Sequence, residues 1–113
     1  MVYDTAERLA RELKESDEYR VYAAAKERAF ENETTKQLVR EYHKLQMQAQ
    51  AAQLSGDDGG ETMRKLQKIG ELLQFDRDAA QFVMAEYRMN RMLADVYKTL
   101  AEAVDVDLSA LEA

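Results

Sequence analysis

The chain is short of residues that do chemistry: its 113 positions hold one histidine and no cysteine. His43 is therefore the first candidate. A helical metal site needs a second Glu or His ligand three or four residues away on the same face. Those neighbours include Val39, Arg40 and Met47 and no Glu or His, so His43 reads as a surface or boundary histidine. The acidic loop Asp57-Asp58-Gly59-Gly60-Glu61 has the look of a calcium loop. Counted from Asp57, however, position 3 is Gly59 and position 6 is Thr62, where an EF-hand needs an oxygen ligand and a glycine. The glycines make no phosphate loop, because no strand precedes them and no Gly-Lys-Ser/Thr follows. Glu86 and Asn90 stand four apart within or beside an apolar helical stripe. A polar pair there either fixes register or partner choice, as a buried Asn does in coiled coils, or lies just outside the core in water. No nucleophile–base pair or pocket of paired carboxylates emerges. The residues point to a chain without enzyme activity, without a metal and without a cofactor.

These side chains sit on elements that the sequence marks clearly. With no proline, the chain can run as helix for most of its length. Five helical segments are predicted. The first, about 4–15, opens at Asp4 with Glu7 at capping-box spacing, and Ala6, Leu9, Ala10 and Leu13 form its apolar face. Ser16 restarts the helix as a cap, with Asp17 and Glu18 suited to a first turn. Tyr19, Tyr22, Ala23, Lys26 and Phe30 share a face of this second segment. Asn32 caps a third, about 33–54, whose stripe is Leu38, Tyr42, Leu45, Ala49 and Ala52. Residues 55–60 hold three of the four glycines and form a loop that reverses the chain as a helical hairpin. The fourth segment, about 61–74, presents Met63, Leu66, Ile69, Leu72 and Leu73. Asp76 caps the fifth, about 77–104.

That last segment carries Phe82, Ala85, Met89, Leu93, Val96, Leu100 and Ala103 at alternating three- and four-residue steps, the pattern of packed helices. At 1.5 Å per residue it is about 40 Å long, too long for a small domain to cover at both ends. Val83, Met84 and Tyr87 leave apolar surface on a second face, which points to a partner subunit. The alternative, that the first two helices cover this surface, stays open, in cis or on a neighbour. The expected self-association surface is Phe82, Met89, Leu93, Val96 and Leu100, with Glu86 and Asn90 as specificity elements, and Leu38, Tyr42 and Leu45 completing the core. Met84, Met89 and Met92, or the uncharged Gln-rich residues 46–53, could also serve as docking surface.

Charge and composition narrow the function classes. The net charge is −6, yet residues 1–44 carry nine Lys/Arg against ten Asp/Glu. The bases alternate with acids at helical spacing rather than gathering on one face. Arg77, Arg88, Arg91 and Lys98 on the last segment are interrupted by Asp95, so direct nucleic-acid binding is disfavoured. No run of about 18 apolar residues predicts a membrane span. The start shows no basic and apolar leader pattern, and the expectation is a cytoplasmic protein. One all-α domain over residues 1–104 is predicted, followed by an acidic tail, 105–113, read as frayed although Leu108 and Leu111 could dock.

The order of these features resembles a known family. Tyr3-Asp4, Ala6, Leu9-Ala10, Leu13-Lys14-Glu15-Ser16, then Glu18-Tyr19, Tyr22 and Ala25-Lys26, resemble the start of the YlbF/YmcA family of small bacterial helical proteins. Leu38-Val39-Arg40-Glu41-Tyr42 with Leu45-Gln46 is similar to its middle block. Ala85-Glu86-Tyr87, Asn90-Arg91-Met92-Leu93 and Val96-Tyr97 are similar to its last helix, and Glu86 and Asn90 match recurring polar positions there. The resemblance covers about residues 3–104. It implies an all-helical, self-associating fold, with a homodimer of copies of the same chain as the expected assembly, and a regulatory role. Characterised relatives act in a complex that influences competence, sporulation and biofilm formation, partly by modulating the endoribonuclease RNase Y. Those relatives carry cysteines associated with iron–sulfur clusters. This chain has no thiolate to offer and is similar to the cysteine-free YheA-like branch.

Overall fold

The computed structural model describes residues 1–56 and 59–105. The described residues form five helices: α1 (Val2–Lys14), α2 (Asp17–Glu31), α3 (Glu33–Leu54), α4 (Gly60–Gln74) and α5 (Arg77–Val104). Their boundaries fall within two residues of those the sequence predicts. Asp57, Asp58 and most of the predicted tail lie outside the described residues.

In a chain without proline, short polar residues and glycine supply the breaks. Ser16, Asn32 and Asp76 each adopt extended backbone and turn a side-chain oxygen onto the first free amides of the next helix. Ser16 Oγ accepts from the Tyr19 amide at 3.1 Å. Asn32 Oδ1 accepts from Thr34 and Thr35 at 2.9 and 3.2 Å. Asp76 Oδ1 accepts from Ala79 at 3.1 Å. Gly59 precedes α4 in the left-handed region at φ 63°, a conformation that costs glycine nothing. The expected cap at Asp4 is corrected: α1 already begins at Val2, and Asp4 lies in its first turn. There its carboxylate accepts from the terminal amine of Met1 at 3.4 Å and opposes the positive end of the helix dipole.

Phe82 is the hub. It is 1% exposed and packs with Ala25, Ala29, Val39, Leu73, Ala79 and Ala85, while Tyr22, Phe30, Leu38, Tyr42, Ile69 and Val83 close around them. Tyr22 and Phe30 set their ring centroids 5.6 and 5.5 Å from that of Phe82, within the range of favourable tilted aromatic pairs. Alanines on the facing sides of α2 and α5 let these two helices approach closely, and theirs is the most extensive helix contact. The second is between α3 and α4, the predicted hairpin. Helix α1 touches α2 alone among the described helices, and none of its residues is buried.

Two helix pairs thus leave one hub, and the resulting body is thin, with extents of 47 × 37 × 16 Å. Its radius of gyration is 16.7 Å, against about 13 Å for a compact chain of this length. No helix among the described residues is long and apolar enough to cross a membrane.

Candidate functional site

Helix α5 changes character along its length. Ala79, Phe82 and Ala85 are buried, and past Ala85 no described residue of α5 is. The reason is the reach of its neighbours. Asp17 and Glu18 at the start of α2 lie beside Ala85 and Arg88, while Arg28 near its end lies by Gln81 and Met84. Helix α2 therefore runs antiparallel to α5, and its 15 residues cover roughly half of the 28 in α5. Helix α3 runs parallel to α5, linked to it at Thr35–Asp76 and again at His43–Glu86.

The residues expected at the self-association surface divide accordingly. Phe82 is packed in the chain's own core and is 1% exposed. Glu86 is half-buried and bound within the chain. Met89, Leu93 and Val96 are half-buried, Asn90 is exposed, and Leu100 is 52% exposed. Tyr97 and Val104 continue the exposed apolar row, and Met84 and Tyr87 remain exposed on the second face. Leu45 is buried, while Leu38 and Tyr42 are half-buried against the hub. The sequence reading missed Val39, fully buried one position from Leu38, and the buried Thr35.

The pairing of His43 was also missed. Its Nε2 lies 2.7 Å from Glu86 Oε1. A carboxylate offers only acceptors, so the imidazole Nε2–H is the donor. The side chains are 36% and 20% exposed, respectively. This pair joins α3 to α5 beside the core, where the imidazole and the Phe82 ring make a T-shaped contact at 6.2 Å between centroids. Glu86, expected as a polar contact element, is paired within the chain to His43 and so links α5 to α3. Among the described residues no hydroxyl bonds to either partner, and no group of three or more His, Asp or Glu could hold a metal ion. The described geometry offers structural chemistry here: a register contact under a half-exposed helix face.

Lower on α5, Arg91 donates to the Tyr87 hydroxyl at 3.3 Å. That hydrogen bond, then the charge interactions with Tyr87 and Asp95, holds the guanidinium above its ordinary pKa. The base is thereby tied to its own helix surface.

A helical chain with these blocks in this order matches one family along residues 2–105, described as control of competence regulator ComK, YlbF/YmcA. The chain belongs to the YlbF/YmcA family. A UPF0342 protein of Symbiobacterium thermophilum is 41% identical over 108 residues, covering 95% of this chain and 96% of its own. One from Halothermothrix orenii is 34% identical over 112 residues, covering 98% and 95%. One from Clostridium novyi is 35% identical over 107 residues, covering 94% of each. The family's role is regulatory, and the chain is one of its bacterial, all-α members.

Proposed function

We propose that this YlbF/YmcA-family chain is a non-enzymatic regulatory module that works through protein–protein contacts in the cytoplasm, as a homodimer. Its working surface is the half of α5 beyond the hub, with Met89, Leu93, Val96 and Leu100 as apolar anchors and Asn90 as the polar element beside them. Glu86 supports that surface from beneath by holding α5 against α3. The observation carrying the reading is the apolar row on distal α5, which continues at helical spacing after the chain's own core has ended. An apolar row of this extent on a small protein marks an interaction site. Partners of the dimer are to be sought in RNA processing and developmental regulation, around the RNase Y machinery that the family resemblance implies.

Sedimentation equilibrium over a wide concentration range tests the assembly. The expected mass is twice the 13.0 kDa of the chain. A single species of 13.0 kDa at every concentration overturns the homodimer.

A further inference from the structure

Resting on that self-association, we infer that the dimer forms by exchange of α1: each copy lays the Leu9/Leu13 face of α1 on residues 93–104 of α5 in the second copy. Two incomplete helix faces in one chain carry the argument. Helix α1 is strongly amphipathic, but Leu9 and Leu13 are only half-buried and Ala6 and Ala10 are exposed. It has 13 residues, a length at which a helix in water is marginal without a surface to pack on. The face it lacks exists on α5, where Leu93, Val96, Leu100 and Val104 form a row that no helix of the same chain buries. The two lengths agree: α1 and residues 93–104 each span about 18–20 Å at helical rise.

The link between α1 and α2 directs α1 away from its own α5. Only Glu15 and Ser16 separate the two helices. Three side-chain bonds hold that corner: Ser16 Oγ donates to the Leu13 carbonyl at 2.6 Å, the Tyr19 amide donates back to Ser16 Oγ, and the Arg20 guanidinium donates to the Glu15 carbonyl at 2.8 Å. With the corner set this way, α1 makes no contact with α5 of its own chain. A two-fold axis repeats any contact between two copies, so one α1–α5 contact in trans implies its mate.

Surface area and charge favour a second copy as the occupant. The chain exposes 8967 Å², where a compact monomer of this mass exposes about 6300 Å². A surplus of about 2600 Å² per chain, about 5200 Å² for two copies, lies at the upper end of the range that obligate homodimers bury in total. Arg11 and Lys14 close α1 with no carboxylate in salt-bridge range among the described residues. Residues 93–104 of α5 carry Asp95 and Glu102 against the single base Lys98.

The absence of cysteine makes the test clean, since an engineered thiol is the only one. Ala10→Cys protein bearing a nitroxide is mixed with isotope-labelled protein of unaltered sequence, and the amides of the unaltered copies are observed. Exchange predicts selective broadening of residues 93–104 in those copies, whatever the direction in which α1 lies. A dimer by sedimentation without that broadening overturns the exchange and leaves self-association standing. A monomer by sedimentation overturns both. Broadening of residues 93–104 only when nitroxide and isotope are in the same chain places α1 in cis and overturns the exchange. Leu13→Asp supplies a second reading: it should weaken dimerisation by about 30-fold or more, as loss of an interface anchor does, with helicity retained. An unchanged dissociation constant overturns the proposal.

Discussion

The Thr35 hydroxyl donates to Asp76 Oδ2 at 2.6 Å while Asp76 Oδ1 accepts from the Ala79 amide at 3.1 Å. One carboxylate therefore starts α5 and fastens it to the first turn of α3. Thr35 is 4% exposed, so losing the acceptor strands its hydroxyl away from water. Asp76→Ala removes a cap worth about 1 kcal/mol and adds about 1 kcal/mol or more for the buried hydroxyl. The expected destabilisation is about 2–3 kcal/mol in urea unfolding, with an unchanged denaturant slope. Asp76→Asn keeps an acceptor and should cost clearly less. Equal losses in the two variants would mean that the Thr35 bond contributes nothing.

His43 and Glu86 form the second link between α3 and α5, and both are partly exposed. Water screens such a pair, and the coupling expected from a double-mutant cycle of His43→Ala and Glu86→Ala is about 1 kcal/mol or less. A coupling indistinguishable from zero would show that the pair does not set the spacing of α3 and α5 in solution.

These two links mark where sequence reading stops. Ser16, Asn32 and Asp76 were legible as caps because a good capping residue is followed by a first turn that suits it. Asp4 with Glu7 has the same spacing, yet α1 begins at Val2 and Asp4 lies in its first turn, a position that also suits an acid beside the helix dipole. The stripe Leu38, Tyr42, Leu45 was legible by its period. Val39 was not, since adjacent positions on α3 are both apolar and only the placement of α5 decides which one faces Phe82. Ala25, Ala29 and Ala79 carry little hydrophobic signal, but their small size is what lets α2 and α5 close on each other. The pairings of Thr35 with Asp76 and His43 with Glu86 join residues 41 and 43 positions apart, a separation at which one sequence carries no local sign. Distal α5 was legible as an apolar stripe, whereas the point at which that stripe leaves the core required the fold.

Phe82 and Leu100 occupy one predicted stripe and should respond differently to substitution. Phe82→Ala opens a cavity in a site that is 1% exposed and should cost about 3–5 kcal/mol, a large share of the 5–15 kcal/mol that holds a domain together. Leu100→Asp alters a side chain that is 52% exposed in the single chain. It should leave the far-ultraviolet circular dichroism spectrum unchanged while shifting sedimentation toward monomer. If Leu100→Asp stays dimeric at low concentration, the distal face of α5 is not the interface.

Two glycines of the α3–α4 hairpin should respond to alanine with opposite signs. Gly59 sits at φ 63°, and a Cβ built there meets the Ala52 Cβ at 3.2 Å. Left-handed backbone costs an alanine about 1–2 kcal/mol, and the close approach to α3 adds to that. Gly59→Ala should therefore lower stability by about 1–2 kcal/mol. Gly70 lies inside α4, where an added Cβ meets nothing within 4 Å. There alanine removes freedom from the unfolded chain and improves helix propensity, so Gly70→Ala should raise stability by about 0.5–1 kcal/mol. Urea midpoints of the two variants against the unaltered protein decide the matter. A gain from Gly59→Ala would mean that the turn into α4 does not use the left-handed conformation.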